Sequence, residues 1–153
     1  MDDTELLRRL NDIEAIKQLK ARYFRCMDQK QFDGWTKVFA RDAHLEVPEG
    51  GASVDGCEAI IAYVSGVLEG VRTVHHGHMP EIEITGPDNA RGIWAMFDYV
   101  EFPHAEGATR QGLQGYGHYT EEYVREDGEW RIKHLLLTRL RIDPLEGGLP
   151  GVH

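Results

Sequence analysis

IEAIKQLKARYFRCMDQKQFDGW, Ile13 to Trp35, is the stretch around which the rest of the chain is arranged. Together with the residues before it, Leu6, Leu10, Ile13, Ile16, Leu19, Tyr23 and Met27 recur at steps of three and four, the spacing of one face of an α-helix. A second column, Ala21, Phe24 and Asp28, lies beside the first over the last two turns. Asp28 therefore stands on an apolar flank, where a carboxylate is costly unless something pairs with it. It also falls in the last turn, where the helix dipole disfavours negative charge. An acid placed against both rules implies a partner elsewhere in the chain.

The remaining composition narrows the class of protein. A chain of 153 residues with 41% apolar and 28% charged residues has the make-up of one soluble globular domain with a proper core. The formal net charge of -9, with no offsetting basic cluster, argues against nucleic acid and anionic membrane surfaces as partners. No apolar run approaches a membrane span, and the acidic start MDDTELL is not a secretory signal. Cys26 and Cys57 both fall in predicted helices and read as buried free thiols, so a cytoplasmic location is expected.

Along the chain, Asp2, Asp3 or Thr4 can cap the first helix, which is expected to run to about Lys30. Asp33 caps a short second helix, GWTKVF, and AHLEVP alternates as a short strand. EGGASVDG reads as a loop. CEAIIAYVSGVLEG is a helix with Ile60, Ile61, Val64, Val67 and Leu68 on one face, ending at Gly70. From Val71 the period changes to two. RTVHHGHM and PEIEIT are expected as two strands, with a turn at Pro87-Asp88-Asn89 before the long strand ARGIWAMFDYVEF. PHAEGATRQG is a loop, and GLQGYGHYTEEYVRED and EWRIKHLLLTRLRID are two more long strands joined at Asp127-Gly128. PLEGGLPGVH reads as a flexible C-terminal tail, which leaves a single domain over 1–143.

Helices first and long antiparallel strands afterwards give an α+β fold rather than a parallel α/β sheet. The expected architecture is a cone: N-terminal helices packed in a strongly curved, mostly antiparallel sheet, an α+β barrel with Asp28 pointing into its cavity. The partner of Asp28 is sought among the histidines. Alternation puts His76 and His78 on one strand face and His75 on the other with Thr73, while His118 and His134 lie on later strands. A carboxylate that fixes one imidazole nitrogen makes the other a directed acid or base near neutral pH. Any one of these histidines, taken singly, is more often a satisfied polar group than a catalyst.

DIEAIKQLKARYFRCMD, then HHGHMPEI, then GHYTEEYVREDGEWRI resemble in that order the SnoaL-like branch of the nuclear transport factor 2-like superfamily, its bile acid 7α-dehydratases most of all and its scytalone dehydratases and dehydrochlorinases more distantly. The resemblance covers Asp12 to Ile142. It implies a metal-free, cofactor-free cavity in which Asp28 and His75 form a catalytic dyad, with Tyr23 donating a hydrogen bond to a developing oxyanion and Arg139 on the last strand binding substrate. Two tyrosines of those enzymes have no counterpart, since Val47 and the Ala108-Thr109 pair stand at their positions. Asp98, His118, Phe97 and Trp94 are further candidates for lining the cavity.

The expectation is thus a cofactor-independent hydro-lyase or isomerase acting on a hydrophobic small molecule, polycyclic and steroid-like compounds included. Leu135, Leu136 and Leu137 place apolar side chains on both sheet faces, so one face needs a partner surface. The resemblance implies a homo-oligomer, a trimer or dimer. Two alternatives belong to other classes. His76-x-His78 with His118 or an acid has ligand types suited to zinc. The same cone can also serve as a non-catalytic ligand-binding or assembly subunit.

Overall fold

The computed structural model describes residues 1–151. Helix α1 spans Asp3–Asp28; the carboxylate of Asp2 accepts from the backbone N–H of Glu5 at 2.8 Å and caps it. Burial of α1 is concentrated in its second half, through Ile16, Leu19, Lys20, Tyr23, Cys26 and Met27, with Asp12 buried ahead of them. Leu6 and Leu10, expected on the core face, are exposed, because the sheet does not extend far enough to cover the first turns.

The end of α1 is built around a strained residue. Lys30 adopts φ 59, and the N–H groups of Lys30 and Gln31 donate to the carbonyls of Met27 and Cys26 at 3.2 and 2.7 Å. This is the Schellman pattern with lysine where glycine is usual. The chain then enters a 3₁₀ helix, Phe32–Lys37, in place of the expected helix GWTKVF. Phe39, assigned to that helix from sequence, instead opens strand β1. The 3₁₀ segment lies so close to α1 that a Cβ on Gly34 would stand 2.8 Å from Cys26 Sγ.

Strand β1 (Phe39–Val47) is followed by a 3₁₀ turn, Pro48–Gly50, and a short strand β2, Ala52–Asp55, in the segment expected to be loop. Helix α2 spans Cys57–Val67 and packs on β1. Strands β3 (Arg72–Gly86), β4 (Asn89–Glu101), β5 (Gly112–Glu126) and β6 (Glu129–Pro144) complete a six-stranded sheet of order β2-β1-β6-β5-β4-β3. Every neighbouring pair is antiparallel except β1 and β6, which run parallel. The sheet is curved around α1 but does not close, so the expected barrel is an open mixed sheet with β2 and β3 at its edges.

The two strands expected over 72–85 are one. Register passes from His78 opposite Ala95 to Glu81 opposite Ile93, so Met79 and Pro80 face a single residue. Met79, at φ 38 and almost fully exposed, is the bulge. Pro80 is tolerated there because β3 is an edge strand. Along β4 the faces alternate as expected: Trp94, Met96, Asp98 and Val100 are buried, and Ile93, Phe97 and Tyr99 lie on the convex side.

Past β6, the segment read as a flexible tail turns back on the β4–β5 loop. Leu145 and Gly147 donate backbone hydrogen bonds to Gly112 and Arg110 at 2.9 and 2.8 Å, and Gly112 donates to Gly148 at 3.0 Å. The end of that tail, residues 152–153, lies outside the described residues.

Candidate functional site

Between α1, α2 and the concave face of the sheet lies a cavity of about 280 Å³. Its walls are mainly apolar: Met27 and Trp35 from the helical side, Leu45, Val100, Leu135 and Leu137 from the strands. Tyr63, Val64, Val67 and Leu68 of α2 and the turn after it close one side; Tyr63 and Val67 are exposed as well as lining, so the opening lies along α2. Besides Tyr63 at the opening, Tyr23, His75, Asp98, Tyr119 and Arg139 break the apolar surface with polar groups.

Asp28 stands behind this wall rather than in it. Its Oδ1 lies 2.7 Å from His75 Nδ1 and accepts from the Thr73 hydroxyl at 2.9 Å. Its Oδ2 accepts from the backbone N–H of His75 at 2.8 Å. The last turn of α1 thus reaches the first residues of β3, and the acid that offended both helix rules has partners in three donors. An ionised carboxylate only accepts, so Nδ1 carries a proton, and in the neutral imidazole Nε2 keeps its lone pair. Lys30, bent back by its positive φ, donates to Thr73 Oγ1 at 3.0 Å. Partial burial lowers the pKa of its ammonium, with Asp28 working against that shift.

On the cavity side, His75 Nε2 is 3.9 Å from Asp98 Oδ2. Asp98 is fully buried, and the same oxygen accepts a hydrogen bond from the Arg139 guanidinium. Arg139 is also held by Glu49 of the turn after β1, which accepts from its backbone N–H at 3.2 Å and its guanidinium at 3.4 Å. Burial disfavours the guanidinium charge, but Asp98 and Glu49 more than offset it, and Arg139 stays protonated. Gly115 makes the pair possible: a Cβ there would sit 2.1 Å from Asp98 Oδ1 and 2.6 Å from Arg139 Nε.

Tyr23 stacks on Trp35 at 5.1 Å between ring centroids and meets the edge of Tyr119 at 5.8 Å. Burial pushes the hydroxyls of both tyrosines well above the ordinary phenol value, so both remain donors. The Tyr119 hydroxyl is buried with no hydrogen-bond partner among the described residues. Beneath the two rings lies Lys20, entirely buried, its Nζ 3.8 and 3.6 Å from the ring centroids of Tyr23 and Tyr119. It donates to Glu121 Oε2 at 2.7 Å, and Glu121 also accepts from Tyr123, whose hydroxyl takes the Trp94 indole N–H. Desolvation brings Lys20 down to about 8, with Glu121 opposing the shift.

Of the residues singled out from sequence, Tyr23, His75, Asp98 and Arg139 line the cavity, and Asp28 supports His75 from outside. Trp94 is on the concave side but deeper, in the Lys20–Glu121 network. Phe97 and His118 lie on the convex face, where Phe97 packs against His76 and Tyr116 and His118 is opposite Ala95. His76 and His78 are on that face too, and no ligand cluster among the described residues includes them or His118. Sequence reasoning missed Tyr119, Lys20 and Glu121. Tyr119 sits beside His118, and strand alternation alone put one of the two inside. Lys20 carried no such signal, because a lysine one step off an apolar column reads as a solvated rim.

Comparison with known proteins follows the same lines. A hexachlorocyclohexane dehydrochlorinase, LinA type 2, superposes with a TM-score of 0.80 at 26% identity over 95% of this chain and 99% of its own. A scytalone dehydratase candidate from Novosphingobium aromaticivorans shares the fold with a TM-score of 0.76 at 19% identity, over 100% of this chain and 99% of its own. In sequence, a probable cyclase of Gibberella zeae is 24% identical over 135 residues, 82% of this chain and 89% of that protein. The SnoaL-like domain model matches residues 8–135, and the chain belongs to that family, within the nuclear transport factor 2-like superfamily.

Proposed function

We propose that the protein is a cofactor-independent lyase of the dehydratase type, acting on a compact hydrophobic molecule with a hydroxyl group β to a carbonyl. The observation that carries this reading is the position of His75, held at Nδ1 by Asp28 at 2.7 Å while its other nitrogen faces a largely apolar cavity. In the reaction, Nε2 removes a proton from the carbon next to the carbonyl, and the electron pair moves onto the oxygen as an enolate. Tyr23 and Tyr119, kept protonated by burial, donate to that oxygen. Collapse of the enolate forms the double bond and expels the hydroxyl group, which leaves as water with the proton from the imidazolium. Asp28 stabilises the imidazolium between the two steps. If no leaving group is present, reprotonation at another carbon gives an isomerase instead.

The cavity volume bears on substrate size. At about 280 Å³ it falls at the small end of ligand pockets. One or two fused rings fit this space better than a steroid, which needs α2 to move outward. Arg139 is engaged by Asp98 and Glu49, so it orders the cavity floor rather than offering a free charge to an anionic substrate.

The test is incubation of the protein with a panel of cyclic β-hydroxyketones in heavy water, read by mass spectrometry. Loss of water, or deuterium gained at the carbon next to the carbonyl, is the expected result. A ligand that binds in the cavity and is recovered unchanged, without deuterium, favours the non-catalytic binding reading.

A further inference from the structure

On the opposite side of the sheet from the cavity, His44 of β1 and His134 of β6 face each other across the parallel pairing, and Glu46 follows two residues later. Leu45 between them is buried in the core, so alternation puts all three on the convex face. His134 Nε2 is 3.6 Å and His44 Nε2 4.0 Å from Glu46 Oε2, and the three ligand atoms lie within 4.8 Å of one another. Each histidine also has a carboxylate behind it. Asp55 Oδ1 lies 2.8 Å from His44 Nδ1, and Glu122 Oε2 3.9 Å from His134 Nδ1. Among the described residues His134 Nε2 is buried with no hydrogen-bond partner, and the one hydrogen-bond contact of His44 Nε2 is with Ser53 Oγ at 3.5 Å.

We propose that His44, Glu46 and His134 form a binding site for a divalent transition-metal ion of the zinc type. For His44, the Asp55 carboxylate at Nδ1 sets the tautomer that leaves Nε2 free as a ligand, the outer arrangement usual around metal-bound histidines; Glu122 lies near His134 Nδ1 without a hydrogen bond. Two imidazoles and one carboxylate suit a borderline cation and leave a fourth position open to solvent. Tetrahedral donors at zinc bond lengths stand about 3.3 Å apart, so ligand atoms now within 4.8 Å of one another have to close by at most about 1.5 Å. The ion would tie β1 to β6 at the parallel seam of the sheet, with Asp55 bringing in the edge strand β2. The cluster is separate from the cavity and does not depend on the reading of His75.

The experiment uses the full chain without a histidine tag, stripped with chelator and titrated with zinc chloride by calorimetry, with melting temperature recorded in parallel. Saturable binding of a single ion per chain and a melting temperature that rises with zinc are expected. Glu46→Gln and His134→Ala should abolish the tight phase, and Asp55→Asn should weaken it about 10- to 100-fold. Asp55 and Glu46 are partly or largely exposed, so both variants retain the fold. The double variant His76→Ala/His78→Ala should bind as the wild type does. Absence of saturable binding overturns the proposal, as does binding that survives Glu46→Gln and His134→Ala or is lost with His76 and His78.

Discussion

Asp28 and His75 are joined twice, once through the ring, Oδ1 to Nδ1 at 2.7 Å, and once through the backbone, where the N–H of His75 donates to Oδ2 at 2.8 Å. The two contacts fix the imidazole's position and its tautomer together. They also make the acid hard to replace. An amide at position 28 keeps one acceptor oxygen and turns the other towards a donor. Asp28→Asn should therefore cost about 1–3 kcal/mol of stability, the range for leaving a buried hydrogen-bonding group unsatisfied. Nitrogen-detected NMR of the ring should show the Nδ1–H tautomer depleted. An unchanged tautomer with unchanged stability contradicts the assigned contacts.

Arg139 and Asp98 form the second test of the cavity. Arg139→Met leaves the fully buried Asp98 without its counter-charge and should destabilise the fold by about 3–5 kcal/mol. Adding Asp98→Leu removes the orphaned charge and should restore most of the loss in denaturant melts. If the single variant is as stable as the wild type, the pair does not order the cavity floor.

Lys20 predicts an unusual dependence on pH. Its folded value of about 8 lies below that of an unfolded lysine, so between pH 8 and about 10 the unfolded chain binds more protons at this site. Stability should rise with pH across that window. Above pH 10 the trend reverses, because Tyr23, Tyr119 and Tyr123 have values raised by burial and the unfolded chain loses those protons first. Urea titrations from pH 7.5 to 10.5 on the wild type and Lys20→Met check this. The rise should shrink in the variant to what Lys30, also lowered by burial, contributes, and a fall over pH 8 to 10 in the wild type contradicts the assignment.

The convex face carries the oligomer prediction. Val74, Ile93 and Tyr116 are exposed at intervals along it, with Leu140 exposed at the bulge in β6. Light scattering should give a mass of two or three chains, and Tyr116→Lys with Ile93→Lys should shift it to one. A wild type that stays monomeric at micromolar concentration removes this surface as an interface.

Much of this was legible from particular residues. The isolated acid at the end of α1 pointed to a buried partner, and the faces of β4 followed from alternation. What escaped had physical reasons. Phe39 is equally at home in a helix or a strand, and only the closeness of the 3₁₀ segment to α1 decides its place. Met79 opens a bulge because the β3–β4 register requires one, which no local pattern encodes. Residue type alone suggests Phe97 and His118 for the cavity, whereas their position on the convex face depends on which side of the sheet α1 packs. Lys20 and Glu121 are 101 positions apart and explain each other only once folded.

We propose His75 as the base of an elimination or enolisation in this cavity. This role is tested most directly by comparing wild type and His75→Gln on whichever panel compound exchanges deuterium or loses water. The rate should be lower by about two to four powers of ten in the variant, the range for losing general acid–base help, with substrate binding nearly unchanged. A variant that retains its rate within a few-fold of wild type contradicts it.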